Sequence, residues 1–257
     1  MITPRLIPLL LIHSGGLQKS QRFASWKYVG DVLNAIKIFN EKDVDELVLF
    51  DVDATREGRG PNLPVLQQIA GECFMPLAYG GGISSVDSAR RVMDCGIEKV
   101  VLNSAAWKRP GLVSEVAAVL GSSSTVVSCD LMRRRKSLLR FDYIKGSAVK
   151  TSLVDSLREV VAAGAGEVIL QSRDHDGTLA GPDLAAVREI APKLSVPVVY
   201  GGGIRSLDDC VDVWRAGASG VAAGAWFVFR GPHRAVLITY PNYGSIKQSY
   251  LDVLEHR

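Results

Sequence analysis

Short apolar runs punctuate the chain at Leu6–Ile12, Glu46–Phe50, Met75–Tyr79, Lys99–Leu102, Thr125–Cys129, Glu167–Gln171, Val196–Tyr200 and Gly220–Ala223. They are rich in Val, Ile and Leu and nearly continuous rather than alternating, which is how strands covered on both faces read. Helical periodicity fills the intervals at Val32–Phe39, Leu63–Ala70, Ser85–Met93, Leu112–Val119, Leu153–Ala162, Leu184–Ile190 and Leu207–Trp214. Ser85 with Asp87, and Ser206 with Asp208, read as helix starts, a capping hydroxyl followed by an acid in the first turn. Strands alternating with helices in this way predict an α/β fold, a parallel (β/α)8 TIM barrel. A doubly wound open sheet is the alternative.

An internal repeat favours closure. Pro76–Leu77–Ala78–Tyr79–Gly80–Gly81–Gly82–Ile83 returns 121 residues later as Pro197–Val198–Val199–Tyr200–Gly201–Gly202–Gly203–Ile204. Ser85, Asp87, Gly96 and Val100 recur as Ser206, Asp208, Gly217 and Val221. The same offset relates Glu46–Leu47–Val48–Leu49 to Glu167–Val168–Ile169–Leu170. The pattern predicts one domain, 1–257, made of two half-barrels at about 1–121 and 122–242 with a tail at 243–257.

Composition narrows the class without deciding it. The 257 residues are 47% hydrophobic and 22% charged, which excludes global disorder. No apolar run approaches the roughly 18 residues of a membrane helix, and the Leu6–Ile12 run, broken by Pro8, makes a poor signal peptide. A net charge of +3 leaves no footprint for nucleic acid. Cys73, Cys95, Cys129 and Cys210 are too widely spaced for a zinc site, and His13, His175, His233 and His256 form no ligand pair. Neither a metal nor a cofactor is expected, and reduced thiols point to the cytoplasm.

Glycine is the exception, with 25 residues. Two Gly-Gly-Gly runs each follow a predicted strand immediately. Barrel enzymes work at the carboxyl ends of their strands. Glycines there let backbone N–H groups approach an anion, and the helix that follows each run offers its positive end. This predicts a ligand with a phosphate at each end, or one with pseudo-twofold character; tight turning alone is the plainer alternative.

The segments Asp45–Glu46–Leu47, Gly80–Gly81–Gly82–Ile83, Gly96–Ile97–Glu98–Lys99–Val100 with Asn103, Gly164–Ala165–Gly166–Glu167 and Asp174–His175–Asp176–Gly177–Thr178 together resemble the cyclase subunit of imidazole glycerol phosphate synthase, the HisF family. The likeness spans nearly the whole sequence. It implies phosphate contacts at Gly82, Asn103 and Ser104 on one side. On the other it implies Gly177, Gly203, Gly224 and Ala225, with Asp176 beside them, although Ala225 stands where the family has a hydroxyl. It implies a glutaminase partner on the amino-terminal face of the barrel, with ammonia passing through to a phosphorylated small molecule. The family closes that entrance with four charges, matched here by Arg5, Glu46, Lys99 and Glu167. A purely stabilising ring is the alternative reading.

The family's cyclase uses two aspartates as acid and base. Asp130 matches the strand 5 acid, and Lys19 matches a lysine on the mobile first loop, here Ser14–Ser20. The strand 1 acid is replaced by Leu11, which can neither take nor give a proton. Losing such a group typically costs about 10²- to 10⁴-fold. His13 lies on the same strand face as Leu11 and is a weak substitute. Leu11 and the segment Trp226–Pro241 resemble HisF-like proteins associated with acetamidino sugar synthesis for bacterial surface polysaccharides. That likeness implies an ammonia-conducting subunit serving a separate sugar amidotransferase. The alternatives are a true cyclase of histidine biosynthesis and a non-catalytic scaffold. Arg133–Arg134–Arg135–Lys136 reads as a solvated basic loop, with docking of an acidic partner or anionic ligand as the other option.

Overall fold

The computed structural model describes residues 5–135 and 137–255. Eight parallel strands form its centre: β1 (Leu6–His13), β2 (Leu47–Asp51), β3 (Leu77–Gly80), β4 (Lys99–Leu102), β5 (Thr125–Arg134), β6 (Glu167–Ser172), β7 (Val198–Gly201) and β8 (Gly220–Ala223). Each pairs with the next, and β8 pairs with β1 in register Leu6↔Val221, so the sheet closes. The open-sheet alternative is thereby excluded. Two strands begin later than their apolar runs suggest, because Pro76 and Pro197 lack the N–H that a ladder needs.

Helices wrap the barrel: α1 (Val32–Asn40), α2 (Leu63–Glu72), α3 (Val86–Asp94), α4 (Ser104–Lys108), α5 (Gly111–Leu120), α6 (Leu153–Ala162), α7 (Leu184–Ile190), α8 (Leu207–Arg215), α9 (Ala225–Val228) and α10 (Tyr243–Glu255). Outward strand residues such as Leu10, Leu49, Tyr79, Val100, Leu170 and Tyr200 meet them in one continuous apolar shell. Inward residues form a separate column. This division follows from the two-residue period of the strand. Val236 and Leu237 remain exposed beyond the small ladder Phe229↔Val236.

Two segments differ from their sequence reading. Ser14–Ser20 was expected as a mobile loop, yet β1 turns at Ser14–Gly15 into an antiparallel hairpin, Gly16–Gln21 with Ala24–Gly30. The glycines serve the turn: Gly15 has φ +75°, and a Cβ on Gly16 would strike the Tyr28 ring. The basic run is a solvated loop only in part: Arg134 and Arg135 are exposed, but Arg133 is not free. Arg133 and Arg134 end β5, which continues into a second hairpin with Ser137–Asp142. Arg133 holds Asp183 at 2.8 Å, and its N–H donates to Asp174. Lys136 lies outside the described residues, as does His256.

The tail forms α10, which covers α8. Tyr250 meets the ring of Trp214 edge-on at 5.2 Å, and both are buried. Nearby, the Tyr240 hydroxyl donates to the Leu6 carbonyl at the β1 seam. Replacing a buried aromatic residue with alanine costs about 3–5 kcal/mol. Tyr250→Ala should therefore destabilise the protein by about 3 kcal/mol in urea unfolding.

Candidate functional site

The inward column is layered. At the amino-terminal end, Arg5 grips Glu46 through Nε and Nη2 at 3.1 and 2.8 Å and reaches Glu167 at 2.8 Å. Lys99 Nζ lies 3.2 Å from Glu46 and 3.3 Å from Glu167. Each cation thus bridges both anions in a closed ring. Burial acts to lower the Arg5 pKa, but the hydrogen bonds and charges of Glu167 and Glu46 outweigh it and raise that pKa. All four residues named from the sequence are brought together.

Above the ring comes a cluster of apolar side chains, among them Ile7, Val48, Ala78, Val101, Val126 and Ile169. Beyond them a cavity of about 110 Å³ opens at the carboxyl ends of the strands. Its walls carry Leu11, Phe23, Trp26 and Phe50 on one side and Asn103, Ser104 and Asp130 on the other. A second space of about 20 Å³ is bounded by Lys19, Asp176, Gly177, Gly203, Gly224 and Ala225. One water needs roughly 10–15 Å³, so the second space admits little more than a single water.

The phosphate candidates therefore divide as the sequence groups them. Gly82, Asn103 and Ser104 border the first cavity, and Gly177, Gly203, Gly224 and Ala225 border the second. Asp176 borders both. The backbone requires glycine at several of these points. Gly203 has φ +83°, and a Cβ there would sit 2.1 Å from the Gly181 carbonyl oxygen. A Cβ on Gly177 would sit 1.9 Å from the Ser20 carbonyl oxygen, because the first hairpin lies directly against it.

The helix ends facing these spaces are not the ones the sequence suggested. Helices α3 and α8, which follow the glycine runs, are capped by Ser85 and Ser206 and carry acids in their first turns. The two spaces instead meet the amino ends of α4 and α9, through Asn103–Ser104 and Gly224–Ala225. Neither end is capped by a side chain, since Asn103 turns its amide to Asp130 and Gly224 has none.

Asp130 is buried at the inward end of β5 and accepts from Asn103 Nδ2 at 3.0 Å. Burial pushes its pKa up to about 7; the Asn103 hydrogen bond opposes this, and the charge of Asp176 adds to it. Asp176 is also raised by burial, against the pull of the Lys19 ammonium and hydrogen bonds from Ser20 and Gln171. Lys19 sits on the first hairpin, with Nζ donating to the Leu9 carbonyl. Burial brings its pKa down to about 8, partly offset by Asp176. Its ammonium fills the second space so closely that a Cβ on Gly224 would overlap it. Lys19 and Asp130 are thus parts of adjoining spaces joined by Asp176 and Gln171.

Leu11 points inward beside the first cavity, in register with Phe50. His13 does not take over its role: Nδ1 lies 2.8 Å from Asp53, and the ring stacks on Trp26 at 4.1 Å. Burial acts to raise the Asp53 pKa, but the Ser14 N–H and His13 hold it below its usual value. Asp51 receives Arg59 at 2.7 Å and the backbone N–H groups of Asp53 and Ala54, a structural role. Among the described residues, no group of three or more His, Cys, Asp or Glu is placed to hold a metal ion. Sequence reasoning missed Phe23, Trp26, Phe50, Ser128 and Gln171. The last two were findable, because each lies two positions along its strand from an inward apolar residue, Val126 or Ile169.

Comparison with known proteins agrees with this architecture. The family model for histidine biosynthesis proteins matches residues 5–232. A protein of Leptospira borgpetersenii, provisionally named imidazole glycerol phosphate synthase subunit HisF, is 42% identical over 94% of this chain and 96% of its own length. A Pseudomonas aeruginosa protein, provisionally named subunit hisF2 of the same enzyme, is 43% identical over 96% of this chain and 99% of its own. The imidazole glycerol phosphate synthase subunit HisF of Exiguobacterium sibiricum is 34% identical over 88% and 91%. The chain belongs to the histidine biosynthesis protein family and is a HisF-like member of it.

A pH dependence follows from Asp130. Its folded pKa of about 7 lies above the ordinary 3.8, so folding takes up a proton between those values. Stability from this group therefore falls as pH rises from about 4 to about 7, by on the order of 4 kcal/mol at most. Asp130→Asn removes that loss. Relative to the native protein, the variant's urea midpoint should rise between about pH 5 and about pH 8.

Proposed function

We propose that this chain is the HisF-like subunit of a glutamine amidotransferase complex, conducting glutaminase-derived ammonia through its barrel. On this reading the glutaminase docks on the amino-terminal face, over Arg5, Glu46, Lys99 and Glu167. The ammonia serves amidation of an acetamido sugar in surface polysaccharide (O-antigen) synthesis, carried out with a separate sugar amidotransferase. One observation carries the reading: the charged entrance is complete while the inward position across from Asp130 is Leu11. An entrance ring is useful to a conduit, whereas a two-carboxylate reaction cannot run on one carboxylate at full rate.

The second reading is the cyclase of imidazole glycerol phosphate synthase, joining ammonia to the ribulosyl phosphate precursor in histidine synthesis. Its support is Asp130 itself, buried and held near neutrality, where a general acid or base works well. Gly82, Asn103 and Ser104 are the candidate contacts for one phosphate. Gly177, Gly203, Gly224 and Ala225 are those for another once Lys19 withdraws from Gly224.

An assay with ammonium salt and the ribulosyl precursor separates the two. Turnover should fall at least 100-fold below that of a two-aspartate cyclase; parity sinks the leading reading. In the complex with glutaminase, Arg5→Ala and Lys99→Ala should raise the glutamine consumed per ammonia delivered. Unchanged coupling overturns the conduit.

A further inference from the structure

Two polar atoms deep in the barrel have no hydrogen-bond partner among the described residues: Ser128 Oγ and Gln171 Oε1. Both residues are at least nine-tenths buried. A buried polar atom left unpaired is destabilising, so such a pair calls for an explanation. Their position is specific. On β5 and β6, Ser128 and Gln171 are the inward side chains next above Val126 and Ile169, where the apolar column ends and the cavity begins. The strands are neighbours, and the two residues stand one inward position apart, with Ser128 opposite Ile169 and Gln171 opposite Asp130.

The Gln171 amide is held, not loose. Its Nε2 donates to Asp176 at 3.3 Å, which orients Oε1 away from that carboxylate. Gly201 makes room for Oε1: a Cβ there would stand 2.3 Å from it. The arrangement keeps a carbonyl acceptor free, with an unpaired hydroxyl one inward position below it on the neighbouring strand.

We propose that Ser128 and Gln171 form a resting site for free ammonia at the inner end of the conduit. The hydroxyl donates to the nitrogen lone pair, and Oε1 accepts an N–H. Ammonia carries both functions, and no charge has to be buried to bind it there. Asp130, the next inward residue on β5, then receives it at the cavity. The inference rests on the reading of the barrel as an ammonia conduit, and it adds two positioning residues to it.

The test uses the barrel alone and needs neither glutaminase nor acceptor sugar. The side-chain amide of Gln171 and the backbone amide of Gly201 are followed by nitrogen-resolved NMR at a pH where ammonia is largely unprotonated. Ammonium chloride is titrated against sodium chloride. Both signals should move saturably with ammonia and not with sodium chloride. Ser128→Ala should weaken the response about fivefold, the loss of one hydrogen bond of about 1 kcal/mol. Gln171→Met, followed through Gly201, should abolish it. Signals that ignore ammonia, or that titrate equally in Ser128→Ala, overturn the proposal and leave water as the occupant. Ammonia binding with unchanged coupling in the Arg5 and Lys99 variants counts against the conduit reading instead, so the two failures are told apart.

Discussion

Closure of the parallel sheet is the constraint from which the rest follows. Once β8 pairs with β1, every second residue of eight strands must point to one axis. The column that results is sorted by chemistry: four charges, then an apolar segment, then Ser128, Gln171 and Asp130 under the cavity. Each layer is assembled from several strands, so no local segment contains a site. The barrel is in this sense an instrument for stacking distant residues along a line. The outer shell of helices holds the line closed, and α10 adds its last cover over Trp214.

Leu11 shows how much a single position on that axis matters. With an acid there, two carboxylates would face one cavity and hold different protonation states. With leucine, the wall is continued by Phe23, Trp26 and Phe50, and Asp130 is left without a carboxylate at the strand 1 position. Its raised pKa is then mainly a burial effect, softened by Asn103. The hairpins add a further boundary. Arg56 lies over Tyr143 at 5.3 Å, and Phe23 meets the rings of Phe141 and Tyr143, so arms from β1, β2 and β5 touch above the cavity.

The strands, most helices and the entrance charges were legible in the sequence, because burial on both faces leaves continuous apolar runs and the offset of the repeat is regular. The glycine runs were legible for a reason the structure makes concrete: at Gly82 and Gly203 a neighbouring backbone occupies the place of a side chain. The hairpins were not. Ser14–Ser20 has the glycines and polar residues of a loop, and its pairing is imposed by the strand it continues. Arg133 read as solvated because its partner Asp183 lies fifty positions away in sequence. The helix ends at α4 and α9 were hidden for a similar reason. A short helix after a strand has too few residues to show periodicity, whereas α3 and α8 announce themselves with Ser85 and Ser206. Ser128 and Gln171 are hidden because each lies within an apolar run, whose continuity does not show which residues face inward.

The protonation states around the cavity describe it as a solvent. Lys19 is made a stronger acid and Asp130 a weaker one, both chiefly by burial. The medium thus penalises either sign of charge. An ammonium ion carried to the same place meets the same penalty and gives up its proton more readily than in water. The balance there shifts toward the free base, the form with a lone pair to offer, although Lys19, lowered only to about 8 and sustained by Asp176, keeps its proton at neutral pH.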